Sequence, residues 1–168
     1  MKPIRFAVAA LACALLAGCY TSDKLLVTDA DSVADYSKIT FTGSEDDAKP
    51  AAFTRADKHY VTESDGNTVE LRLKRIDGDY YVAQLSNPKV PEGESGAQIL
   101  YGYLHLDAGK GEAQTWRTYG TKDDVQAGMR MCKDVICIDD LAAYVAYAQK
   151  AVADGDKPDS TFKVAVEK

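Results

Sequence analysis

Four cysteines, Cys13, Cys19, Cys132 and Cys137, and two histidines, His59 and His105, are the side chains of this 168-residue chain with the widest chemistry. His105 stands in the text YLHLD, two residues before Asp107, so an extended strand presents both on one face. An aspartate that orients a histidine is half of a catalytic triad. The other half needs a nucleophile in a recognisable setting. No Gly-x-Ser-x-Gly occurs, and Ser95 in GESG lacks the strand-to-helix elbow that exposes a serine hydroxyl. The text DAGKGE lacks the strand-to-helix context of a phosphate loop and reads as a turn. Asp29, Asp31 and Asp35 approach the spacing of calcium ligands, without the glycine of the sharp turn or the closing glutamate. No catalytic set, metal centre or cofactor motif is therefore expected. A hydrolase would need the fold to bring His105 to a further acidic partner.

Cys19 belongs to a different chemistry. A short segment with Lys2 and Arg5 precedes an apolar run of about eleven residues, Phe6 to Leu16, and then the small residues Ala17 and Gly18. A bilayer-spanning helix needs ~20 apolar residues, so the run reads as a secretory signal rather than a span. Leu16-Ala17-Gly18-Cys19 resembles the lipobox of bacterial lipoproteins, and the resemblance covers the first twenty or so residues. It implies a diacylglyceryl group on the Cys19 thiol, cleavage between Gly18 and Cys19, and Cys19 as an acylated mature N-terminus. It also implies that acyl chains hold the protein to the membrane, since each buried methylene contributes ~0.8 kcal/mol and two or three chains hold durably. In that family an aspartate after the cysteine retains the product in the inner membrane; Tyr20 stands here, which favours the periplasmic face of the outer membrane.

Export also sorts the other thiols. Cys13 leaves with the signal, and Cys132 and Cys137 remain as a pair in an oxidising compartment, where a disulfide is expected. The alternatives are a redox pair, which usually has the closer Cys-x-x-Cys spacing, or half a zinc site, for which no histidine lies nearby.

Removal of residues 1–18 takes away Lys2 and Arg5 and leaves 150 residues with 18 basic against 26 acidic side chains, a formal charge of −8. Such a balance argues against nucleic-acid binding, which needs clustered Lys and Arg to replace the counterions of phosphates. A length of 150 suits one domain with its own core. Residues 20–33, with Asp23, Asp29 and Asp31 around the short cluster Leu25-Leu26-Val27, read as a lipidated tether with one docked patch (19–33 with its cysteine), ahead of a single β-rich domain over 34–168.

The elements of that domain follow from apolar period. Val69, Leu71 and Leu73 alternate with charges, Asp77-Gly78 breaks the run, and Tyr81, Ala83 and Leu85 resume it, which predicts a hairpin over 68–87. A second hairpin alternates from Ala97 to Leu106, turns at Asp107 to Gly111 and returns through Ala113, Thr115 and Trp116. Segments 37–42 and 53–62 read as two further strands, and 161–166 as a last one at a sheet edge. Residues 88–96, rich in proline and glycine, read as a loop over one end of the sheet. Leu141, Tyr144, Val145, Ala148 and Val152 fall on one helical face, with an aspartate to cap the start and Gly155 past the end, predicting a helix over 140–153. The fold class is thus α+β: a mostly antiparallel β meander, as a curled sheet or small barrel, with one C-terminal amphipathic helix.

Tyr80, Tyr81, Tyr101, Tyr103, Trp116 and Tyr119 all come from the two hairpins. They stiffen the sheet as cross-strand pairs, or Tyr101, Tyr103 and Trp116 form a binding patch. Tyr147 falls off the helix stripe as a further contact candidate. The leading functional reading is a lipid-anchored envelope module that binds or scaffolds a periplasmic protein. The alternative is an inhibitor or small-ligand-binding barrel, for which the lipoprotein lysozyme inhibitors are similar in size and architecture but share no motif with this chain. The body otherwise resembles small proteobacterial envelope lipoproteins, a likeness that carries no activity.

Overall fold

A computed structural model describes residues 19–45, 48–64, 66–88 and 99–168. The expected signal segment with Gly18, Ser95 and all but Pro88 of the expected 88–96 loop lie outside these residues.

The strands, in chain order, are β1 (Tyr20–Ser22), β2 (Lys38–Gly43), β3 (Ala51–Ala56), β4 (His59–Ser64), β5 (Asn67–Asp77), β6 (Tyr80–Ser86), β7 (Ile99–Asp107), β8 (Glu112–Trp116), β9 (Met129–Cys132) and β10 (Val135–Ile138). Helix α1 (Leu141–Ala153) and strand β11 (Ser160–Glu167) follow. Strands β2 to β8 follow one another as an antiparallel meander, β11 pairs with both β8 and β2, and β6 pairs with β7, so eight strands close into a barrel. The last strand therefore has neighbours on both sides (Val164 opposite Phe41, Phe162 opposite Ala113) and seals the barrel, where a sheet-edge position was expected.

Alternation decides what fills the barrel. Ile39, Phe41, Phe53, Tyr60, Leu71, Leu73, Tyr81, Leu104, Leu106, Ala113 and Val164 point inward as one buried cluster. An eight-stranded barrel is just wide enough for side chains to fill or for one small ligand. The 53–62 segment is two strands, because Asp57 turns the chain with φ 62° between β3 and β4. In the next hairpin only Gly78 of the turn takes a positive φ (50°), and the register shifts between Arg75 and Asp77.

A second core lies outside the barrel wall. Val82, Ile99, Tyr101, Tyr103 and Trp116 face outward from β6, β7 and β8, yet they are buried with Tyr20, Val27, Met129, Ile136, Ile138, Tyr144 and Ala148. The cover is α1 together with a small sheet in which β1 lies between β7, antiparallel, and β10, parallel, and β9 forms the outer edge. Helix α1 begins where the Asp140 carboxylate accepts the Ala142 N–H (2.9 Å) and ends before Gly155, at φ 80°. The β9–β10 hairpin was not foreseen. The Cys132–Cys137 disulfide, with Cα atoms 5.8 Å apart, ties it together.

The tether expected over 19–33 is part of the fold instead. Tyr20 and Val27 are fully buried. Gln84, itself fully buried on the outer wall, accepts the Leu26 and Val27 N–H groups at 3.0 and 2.8 Å and donates to the Val27 carbonyl at 3.1 Å. Further along, the Val33 N–H bonds the Leu73 carbonyl (2.8 Å) on the stretch of β5 that β4 does not reach. Asp29, Asp31 and Asp35 pair with Arg72, Lys74 and Arg75. The docked patch around Val27 is real, and the polar residues around it dock as well.

Candidate functional site

Cys19 is the first described residue, and its surroundings are the site to which the sequence points. Its carbonyl accepts the Ile136 N–H (3.1 Å), and it forms a β-bridge with Tyr119. The thiol is buried, and that burial raises its pKa above the ordinary cysteine value. The next residue, Tyr20, packs its ring against Tyr144 of α1 at 5.3 Å between centroids. Gly120 is needed beside it: a Cβ there would lie 2.7 Å from the Tyr20 hydroxyl and 2.9 Å from Ile136 Cδ1. Two large apolar side chains stand out in solvent among the described residues, Tyr119 at 50 % and Met131 at 40 % exposure. Both flank this place. Tyr119 bridges Cys19, and Met131 is the cross-strand partner of Ile136, which is itself the partner of Tyr20.

The aromatic trio does not form a surface patch. Tyr101 and Tyr103 are 2 % and Trp116 is 6 % exposed, so these three are core residues between the barrel wall and α1. Tyr103 faces Trp116 across the strands, as the cross-strand reading expects, and the Trp116 indole N–H donates to the Asp156 carbonyl (3.0 Å). The Tyr101 hydroxyl lies 2.8 Å from Gln84 Oε1. Tyr147 is also engaged: its hydroxyl donates to Asp124 (2.7 Å), and the Arg117 guanidinium sits over its ring at 4.4 Å.

His105 and Asp107 go separate ways. The His105 ring stacks on Tyr80 with centroids 4.5 Å apart. Asp107 accepts the Lys110 N–H (2.9 Å) and pairs with its ammonium (3.0 Å), closing the turn; these contacts, backbone first, hold its carboxyl below the usual range. The half-triad is not assembled.

One polar cluster was not visible in sequence. His59 lies between Asp29, 3.6 Å from Nδ1, and Glu70, 3.9 Å from Nε2, and Arg72 pairs with both carboxylates at 3.0 and 2.5 Å. The carboxylates meet opposite nitrogens of the ring, and a histidine offers one nitrogen to a metal, so the group does not converge on one ion. Among the described residues no set of three such ligands does. The cluster pins the 28–33 segment to the outer wall of β4 and β5. Its signal was the pairing of distant charges, which periodicity does not carry.

No helix among the described residues is long and apolar enough to cross a membrane. Compared with known protein families, with curated proteins and with solved structures, the chain matches none.

Proposed function

We propose that this protein is a lipid-anchored module of the bacterial envelope, held by acyl chains on Cys19 and acting by binding or scaffolding another periplasmic protein. The carrying observation is the order of the first nineteen residues: positive charge, apolar run, Ala17-Gly18, then Cys19. The fold is compatible with it, because the eleven strands among the described residues all lie after Cys19, the first of them starting at Tyr20. A thioether on Cys19 does not fit the buried place of the free thiol. On this reading lipidation requires the Cys19 side chain to leave that place. The alternative, a barrel that takes one small ligand, is also compatible with eight strands; the buried cluster inside the barrel favours an outer surface for the partner. With Tyr101, Tyr103 and Trp116 in the core, their alanine variants report on stability rather than on recognition.

The test is the Cys19→Ser variant expressed from its own leader, read by membrane fractionation and by the mass of the N-terminal peptide. The wild type fractionates with membranes and carries an acylated Cys19; the variant is released or left uncleaved. A variant that matures normally and stays with the membrane overturns the anchor.

A further inference from the structure

The fold begins almost at the anchor. A free segment over residues 20–33 could reach roughly 45–50 Å from the bilayer. Here Tyr20 is already a buried strand residue, so only one Cα–Cα step of about 3.8 Å separates the lipidated residue from the packed domain. A body held that closely lies against the lipid with whatever surface surrounds the attachment point. That surface carries Tyr119, which bridges Cys19, and Met131, which neighbours Ile136. A tyrosine, an aromatic ring with a polar tip, favours the boundary between headgroups and acyl chains, and the exposed Met131 adds an apolar side chain beside it. Beside them Arg130 bonds both Asp23 and Asp139, at 2.9 and 3.2 Å, so these carboxylates meet the surface already paired.

We propose that the protein lies on the membrane through the face bearing Tyr119 and Met131, with both side chains inserted at the lipid interface. The inference rests on the lipid anchor proposed above and deepens it. It fixes the domain's orientation and directs the opposite wall, with the β3–β4 turn at Asp57-Lys58, toward the periplasm. On the barrel circumference β3 stands four strands from β7 in either direction.

The test uses acylated protein purified from membranes and reconstituted into phosphatidylcholine vesicles with brominated acyl chains. Single tryptophans replace Tyr119, Met131 or Lys58, and the buried Trp116 gives a background common to all. Flotation with the vesicles reads the anchor; bromine quenching reads the contact. Stronger quenching at positions 119 and 131 than at 58 is the expected pattern for interfacial side chains. Flotation without stronger quenching at 119 and 131 than at 58 overturns the orientation and leaves the anchor standing. Failure to float overturns both. Positions 119 and 131 are read in separate proteins, so if one variant fails to fold the other decides.

Discussion

Replacing Gln84 by leucine should release the N-terminal segment from the barrel wall while leaving the barrel closed. Gln84 Oε1 accepts the Leu26 and Val27 N–H groups and lies 2.8 Å from the Tyr101 hydroxyl, and Nε2 donates to the Val27 carbonyl. Not every partner is orphaned by the change. The Leu26 N–H keeps the Tyr101 hydroxyl at 3.0 Å, and that hydroxyl keeps the Lys24 carbonyl at 3.2 Å. The Val27 N–H and carbonyl lose their bonds inside a fully buried site. Two unsatisfied buried groups cost about 1–3 kcal/mol each, and the apolar gain of the leucine offsets part, leaving a net loss of about 2–4 kcal/mol. Domains of this kind have only about 5–15 kcal/mol in all, so local release is cheaper than global unfolding. Native-state hydrogen exchange should then show faster exchange of the amides of residues 24–33, with β3, β4 and β11 protected as before. Unchanged exchange over 24–33, with a urea midpoint equal to the wild type, would refute the account of how this segment is held.

Three further outcomes follow from the same geometry. Gly120→Ala should cost about 1–3 kcal/mol, since its Cβ would lie 2.7 Å from the Tyr20 hydroxyl and 2.9 Å from Ile136; an unchanged melting temperature would contradict that packing. The Cys132→Ser, Cys137→Ser double variant should lose about 2 kcal/mol on the chain-entropy account, with increased exchange in β9 and β10, and titration of the denatured, unreduced wild type should find neither thiol reactive, two reactive cysteines at 132 and 137 refuting the bond. Burial by itself pushes the Asp124 carboxyl up, but the Thr121 N–H, the Tyr147 hydroxyl and the Thr121 hydroxyl together hold it below the ordinary value. A depressed aspartate stabilises the fold above the ordinary pKa of about 4 and loses that contribution as pH falls through the lower folded value. The stability gap between wild type and Asp124→Asn should accordingly shrink from pH 7 toward pH 3; a gap that holds constant or widens would remove the charge from the explanation.

What could be read in the sequence was what is local. The two hairpins of β5–β6 and β7–β8 announce themselves by alternation and by turn residues such as Gly78 and Gly111, and α1 by its stripe and its capping Asp140. The split between β3 and β4 was hidden because a non-glycine residue, Asp57, makes the turn. Strand β1 has three residues and finds its partners about 80 and 115 residues further on, so no window of sequence shows it. For the same reason, alternation could divide Tyr81 from Tyr101 and Tyr103 between two faces but could not say that a helix from another part of the chain covers the outer one. The run Leu16-Ala17-Gly18-Cys19 is contiguous and stands in the sequence itself; the gathering of Tyr119, Ile136 and Met131 around Cys19 does not.

The two closures of the structure set the time at which it can exist. Lys38 pairs with Glu167, 129 residues later, and β1 needs β10, so neither barrel nor outer sheet can be completed until nearly the whole chain is available. A contact order of this kind makes folding slow, because loop closure precedes any gain from long-range pairing. Until β11 arrives, β2 and β8 present open edges, the condition in which strands pair with the wrong chain. This is a protein that must be kept apart from its own copies until its last eight-residue strand, β11, is free to close it.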